Sequence, residues 1–412
     1  MASETIQWNR RRGLPVYAAN LDARKCFDLI WHDGLFARLA PHLCSGSWLL
    51  LRTWYRRLSA HVAFGGVRSN SFRICRGTRQ GAILSPILAN IYLYPLVAAL
   101  DERGLGADLY GHHVPAVCYA DDLILLATNA KHLATMLDLV GSFAKRSRLE
   151  FVHPEPCRTK SHCLVFGAEL LAEMPRWCLS GQLLHNREQS EHLGVVLDGA
   201  LSATPHVRNR TARAWASLYG LAPAGMFVSC LCPADKPYLW RTVVQPVLTF
   251  GCATAPLLSA DAAALSATQA ASVKTALGLP RRAHHSALLA AAGIEPAHEQ
   301  LRAACFRAMR CAMRTDHRLR QALLSGLAKL AACPASLGGS LLEQLLAMCG
   351  GSISALLEVA AGRPHDEWVT PPRPPCGLAD SIRFLLSEDS RFSRQLLRLL
   401  TCPDACVTRS DE

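Results

Sequence analysis

Apolar and polar positions change their period several times along the chain, and each change predicts an element. From Val16 to Ala23 the run Val-Tyr-Ala-Ala-Asn-Leu-Asp reads as a buried strand that delivers Asp22 near its end. Helical spacing follows at about 34–41 and 46–58, two short strands are expected around Gly65-Gly66 within 59–76, and Leu84 to Leu100 returns to a helical period kinked at Pro95. Two apolar β-type runs, Val114 to Tyr119 and Leu123 to Ala127, flank Ala120-Asp121-Asp122, which predicts a hairpin with carboxylates at its tip. Residues 129–147 then read as an amphipathic helix, and 161–166 and 190–197 as strands. The expected fold class is α+β, an antiparallel sheet with packed helices, followed by an all-helical region.

The β signal ends near residue 200, where Ala, Leu and Arg take over, so boundaries are placed to give regions 1–200, 201–320 and 321–412. In 205–220 the reading sets His206, Arg210 and Arg213 on one helix face and Val207, Ala214 and Leu218 on the other, a basic stripe on an apolar back. The last region is rich in Ala and Leu to residue 361, breaks at the Pro-rich 371–375, and ends in a short helix near 379–400.

Charge changes the picture. With 44 Lys and Arg against 32 Asp and Glu, the net of +12 favours a polyanionic partner, and 205–320 alone holds 14 basic against 5 acidic residues. The 17 cysteines are odd in number and irregularly spaced, which fits free thiols better than a disulfide framework, and none stands at zinc-site spacing with a partner. The polar N-terminus ending in Arg10-Arg11-Arg12 lacks the apolar core of a signal peptide, and no apolar run reaches membrane-span length. A nuclear or cytoplasmic location is expected.

Asp121 and Asp122 on a hairpin tip, opposed by Asp22 at a strand end, would bring hard oxygen ligands together from rigid elements, as divalent cations require. An isolated Asp-Asp pair in a turn is ordinary turn chemistry; here strongly apolar flanks and other motifs in order outweigh that reading. Tyr119-Ala120-Asp121-Asp122 resembles the YxDD box of reverse transcriptases. Leu21-Asp22-Ala23-Arg24-Lys25-Cys26-Phe27-Asp28 resembles their first palm motif, and the run from Gly77 through Gln80-Gly81 to Ser85-Pro86 resembles the motif between the two. Lys160 in Arg158-Thr159-Lys160-Ser161 is similar to the later palm lysine. His192 through Asp198 resembles the Leu-Gly strand at the primer grip of non-LTR (LINE-type) retrotransposon enzymes. Val244 to Gly251 and Leu279 to Ile294 resemble the region after the palm.

The resemblance spans about 10–310 and implies a polymerase palm, then an all-α thumb, acting in RNA-directed DNA synthesis on an RNA template with a DNA primer and deoxynucleoside triphosphates. It implies Asp22, Asp121 and Asp122 as ligands of two Mg2+ ions, with Mn2+ as an alternative. It places Phe27 under the sugar to exclude a 2′-hydroxyl, with Gln80 and Gly81 near the incoming nucleotide. Lys160 is either a general acid for pyrophosphate or a solvated strand-edge lysine. Arg210 and Arg213 would track nucleic-acid phosphates. Ser85 reads as an N-cap with Pro86 at the first helical position, and Asp28 and Asp33 as structural or capping residues.

About 20 residues precede Asp22, so the expectation is a chain without the fingers region or the upstream endonuclease of such elements, and weakly active or inactive. Pro154 and Pro156 also depart from the Gly-Leu-x-x-Asn pattern of the family. Two rival readings are a catalytically dead nucleic-acid-binding remnant and an RNA-dependent RNA polymerase, the latter disfavoured by Phe27 and the Tyr-Ala-Asp-Asp box.

Overall fold

A computed structural model describes residues 1–332 apart from 80, 153–159, 229, 230, 233, 256 and 316, and beyond them positions 342, 345, 346, 349, 351 and 356. Gln80, Pro154, Pro156, the Pro-rich break at 371–375 and the helix expected at 379–400 lie outside the described residues. The chain divides into two compact units. One comprises Met1–Leu193 with Asp198–Leu201, and the other Gly194–Leu197 with the chain from Ser202 onward.

In the first unit the strands Val16–Asp22, Ala116–Tyr119, Asp122–Ala127 and His162–Phe166 join Asn186–Arg187 in one five-stranded sheet. The Val16–Asp22 strand is central, paired antiparallel with Asp122–Ala127 on one side and His162–Phe166 on the other. Four of the expected strands form the expected antiparallel pairings, but the edge is parallel, Cys163 and Leu164 pairing with Asn186 and Arg187, and the segment expected as a fifth strand lies outside this sheet. The expected strand over 190–197 is broken instead at Leu193 and Gly194, both left-handed (φ +50° and +77°), which splits it into Gln189–His192 and Val195–Asp198.

Alternation decides what each sheet face meets. Tyr17, Ala19 and Leu21 with Leu123, Leu125, Cys163 and Val165 bury against two helices, Ser85–Glu102 and Ala130–Ser147. Buried Leu133, Met136, Leu137, Val140 and Ala144 recur on the second helix at the 3.6-residue period that the sequence displays. Asn129 starts it, its side chain accepting from the Lys131 amide at 2.8 Å. The Ser85–Glu102 helix runs through Pro95. Onto the unit also pack the Ala2–Arg11 helix, which meets the strands Val16–Asp22 and Asp122–Ala127, and the His32–Leu39 helix.

The second unit is helical. Thr204–Gly220, Ser259–Ala276, His285–Ala291, Ala297–Thr315 and a segment from Asp235 to Thr249 with a π-helical turn at Trp240–Val244 surround a core of Val207, Leu218, Trp240, Leu248, Leu265 and Leu288. Buried Trp240 donates its indole N–H to the Ser272 hydroxyl at 3.0 Å.

Candidate active site

The hairpin predicted around Ala120-Asp121 forms, with Tyr119 opposite Asp122 across a two-residue turn. Its first turn residue, Ala120, is left-handed at φ +53°, a conformation glycine usually takes and one that costs an alanine about 1 kcal/mol. On the other side of the Asp122–Ala127 strand, Asp122 stands directly opposite Asp22. Directly opposed residues share a sheet face with Cβ atoms about 5 Å apart, so these two carboxylates are neighbours. Asp121 is tied in through its carbonyl, which accepts from the Ala23 amide at 3.3 Å.

The electrostatics follow from that crowding. Partial burial, then the Asp121 and Asp22 charges, raise the pKa of Asp122, and Lys160 opposes the rise. The exposed Lys160 ammonium lies 3.6 Å from an Asp22 oxygen. An exposed pair of this length stabilises little, so its meaning is positional. Burial, with the Asp121 charge adding, pushes the nearby Cys26 thiol up to about 12. Each described cysteine is a free thiol. Among the described residues no three His, Cys, Asp and Glu side chains gather into a group that could hold a metal ion. The donors nonetheless have the chemistry a hard cation takes: carboxylate oxygens on strands, with mutual repulsion already visible at Asp122.

Phe27 follows the Asp22 strand in the short Cys26–Leu29 helix, its ring half-buried against the first unit's core. Its carbonyl accepts from the Thr78 amide at 2.7 Å, while the Gly77 amide donates to the Ile30 carbonyl at 2.8 Å and His32 Nε2 meets the Gly77 carbonyl at 2.8 Å. A Cβ on Gly77 would come within 2.7 Å of the Asp28 carbonyl oxygen, and its φ is +85°, so glycine is required at this close approach. Gly81 is left-handed at φ +79° with nothing within 4 Å of its absent Cβ. One capping expectation needs correction. Leu84 is the N-cap, Ser85 is already helical with its hydroxyl donating to the Arg79 carbonyl, and Pro86 falls one position later than expected. Asp33 sits in the first turn of the His32–Leu39 helix, whose N-cap is Trp31.

One group escaped the sequence reading. Asn20, two residues before Asp22 and so on its face, donates to the Ser190 hydroxyl at 3.0 Å. Ser190 also meets His162 Nε2 at 2.6 Å, His162 Nδ1 contacts the Lys160 carbonyl at 2.6 Å, and His192 Nδ1 reaches the Asn20 amide oxygen at 3.3 Å. The Asp22 amide donates to the Ser161 hydroxyl at 3.2 Å. This buried network holds the segment carrying Lys160 to the strand carrying Asp22. The two-residue spacing from Asn20 to Asp22 was the available signal; partners 140 or more residues away were not.

In the second unit, the basic stripe on Thr204–Gly220 is overturned. His206 and Arg210 are buried together with Val207, Ala214 and Leu218. At about 100° per residue Arg210 lies only about 40° from both His206 and Ala214, which places it inside the apolar arc. Arg210 donates to the Gly194 carbonyl at 3.2 Å and stacks 5.3 Å from the Phe250 ring centre. His206 Nδ1 accepts from the Val196 amide at 3.2 Å, so its Nε2 carries the proton and donates to the Phe250 carbonyl at 2.9 Å. His206 and Arg210 thus join two motifs, Gly194–Leu197 and Phe250-Gly251. Arg213 is exposed.

Among the described residues no helix is long and apolar enough to cross a membrane. Residues 3–195 match the profile of the family described as Reverse transcriptase (RNA-dependent DNA polymerase). The chain is 27% identical over 256 residues to a "Retrovirus-related Pol polyprotein from type-1 retrotransposable element R2" of Popillia japonica, covering 61% of this chain and 41% of that protein. It is 26% identical over 244 residues to the "RNA-directed DNA polymerase from mobile element jockey" of Drosophila melanogaster, covering 57% and 25%. With the "Retrovirus-related Pol polyprotein from type-2 retrotransposable element R2DM" of the same fly the identity is 31% over 161 residues, covering 37% and 15%. The chain spans less than half the length of each of these relatives.

Proposed function

We propose that this chain is a reverse transcriptase of the non-LTR retrotransposon kind and extends a DNA primer along an RNA template from deoxynucleoside triphosphates, in keeping with the family profile matched by residues 3–195 and with the RNA-directed DNA polymerases among its relatives. The observation that carries the reading is the register that sets Asp22 opposite Asp122, with Asp121 on the turn beside them. In this reading residues 1–200 are the polymerase palm and 201–320 a helical thumb and connection-like region.

Asp22, Asp121 and Asp122 would hold two divalent ions, Mg2+ in the first instance. Such ions supply activation of the primer 3′ oxygen and neutralisation of the triphosphate when bound. The chain's own residues do the rest. Burial, and after it the neighbouring carboxylates, raise Asp122, and a cation among them would relieve the repulsive part. Lys160, 3.6 Å from Asp22, would donate a proton to departing pyrophosphate. Phe27 would sit beneath the sugar, its backbone fixed by Thr78, and Gly81 would let the chain approach the nucleotide closely.

Primer extension on an RNA template with deoxynucleotides and Mg2+, comparing the wild type with Asp121→Ala, tests the reading. Extension that disappears in the variant is the expected result. Extension unaffected by the substitution, or none from either chain, overturns it, and preferential incorporation of ribonucleotides would replace it with RNA synthesis.

A further inference from the structure

The carboxylate site leaves one conspicuous surface unused. Between Asp33 and Asp101 the sequence contains no Asp or Glu and eight arginines. Six of these, Arg56, Arg57, Arg68, Arg73, Arg76 and Arg79, are exposed, and none is ion-paired with a described residue. The same stretch exposes rings: Trp54 is 42% exposed, Phe64 87% and Phe72 51%.

The geometry is that of a protruding ribbon. Ser59 pairs with Arg73, Ala60 with Phe72, Ala63 with Arg68 and Phe64 with Val67, and the turn uses Gly65 and Gly66 at φ +56° and +82°. Within each strand pair alternation sets rings apart from arginines: Phe64 and Val67 share one face with Arg68 on the other, and Phe72 faces away from Arg73. Beyond the ribbon the chain is stitched to the loop after Asp22 through Thr78 and the Phe27 carbonyl. The surface therefore belongs to the same unit as the carboxylates.

We propose that this arginine-rich ribbon and its flanks bind single-stranded nucleic acid outside the carboxylate site; taking that strand to be the unpaired template rests on the polymerase reading. Six uncompensated guanidinium groups require a polyanion. A merely solvated charged face has no use for exposed rings, and an apolar docking face for another protein has none for uncompensated charge. An unpaired strand uses both, phosphates on the arginines and bases stacked on the rings. A duplex hides its base faces and uses only the first.

Fluorescence anisotropy with a short labelled single-stranded RNA, and separately with its duplex, tests this on the full chain in EDTA. Arg68→Gln/Arg73→Gln is expected to weaken binding and to flatten the log–log salt slope by about 1.4, at ~0.7 per lost phosphate contact. Phe64→Ala is expected to weaken the single strand roughly tenfold and leave the duplex unchanged. Wild-type affinity and slope in both variants overturn the proposal. So does a Phe64→Ala chain that binds RNA normally but sediments differently, since the ring face would then be covered by protein. Binding in EDTA is read independently of extension, so failure of the polymerase reading and failure of this one are distinct results.

Discussion

Asp122 is the residue at which the site's design is most exposed to measurement, because its raised pKa reports burial together with two neighbouring carboxylates. A cation bound by the folded chain alone stabilises it in proportion to the logarithm of ligand concentration over Kd. Saturating Mg2+ is therefore expected to raise the unfolding temperature of the wild type and to do so much less in Asp22→Asn or Asp121→Asn; equal shifts in all three would remove the carboxylates as the binding site. Two histidines behind the site give a pH signature. Burial lowers His162 and His192 below their ordinary value of 6.5. Stability from such groups is complete above 6.5 and is lost as pH falls through the folded values, because the unfolded chain takes up the protons first. The unfolding temperature should drop as pH falls below about 6.5, and His162→Gln, which keeps a hydrogen-bonding side chain, should flatten part of that drop. An unchanged profile in the variant would assign the acid sensitivity elsewhere.

At the scale of elements, the strands and the hairpin obeyed their own alternation, while the Thr204–Gly220 helix did not present the face expected of it. Its Arg210 is buried, hydrogen-bonded to Gly194 and stacked on Phe250, so it works as a fastener between two turns of backbone. Arg210→Ala is expected to cost about 2–3 kcal/mol, through the carbonyl it leaves unpaired and the packing it removes. Chemical denaturation measures this, and the salt dependence of nucleic-acid binding by the folded variant should match the wild type. A shallower salt slope at unchanged stability would restore Arg210 as a phosphate contact.

At the scale of the molecule, each unit encloses its own core, Leu125 lying in the first and Trp240 in the second. Leu125→Ala should cost roughly 2–5 kcal/mol and Trp240→Ala roughly 3–5 kcal/mol. Hydrogen exchange separates them: Leu125→Ala is expected to speed exchange in the Asp122–Ala127 strand beside the carboxylates, and Trp240→Ala to speed it in Ser259–Ala276. Loss of protection in both places from either substitution would mean that the two cores open as one.

The sequence by itself determined the local frame of the site. Apolar runs around Asp121-Asp122 specified a hairpin, the run ending at Asp22 specified a strand, and the apolar spacing of Ala130–Ser147 specified its helix, because periods of 2 and 3.6 are properties of neighbours in the chain. The tertiary structure alone decided what stands across from what. Register across strands 100 residues apart in the chain, Asp22 opposite Asp122, is set by which sheet face is buried. The Asn20, Ser190 and His162 network comes from three separate strands, and no local pattern announces it. Arg210 belongs with these: charge argues for solvent, but the carbonyl of Gly194 and the ring of Phe250 supply the partners that let a guanidinium be buried.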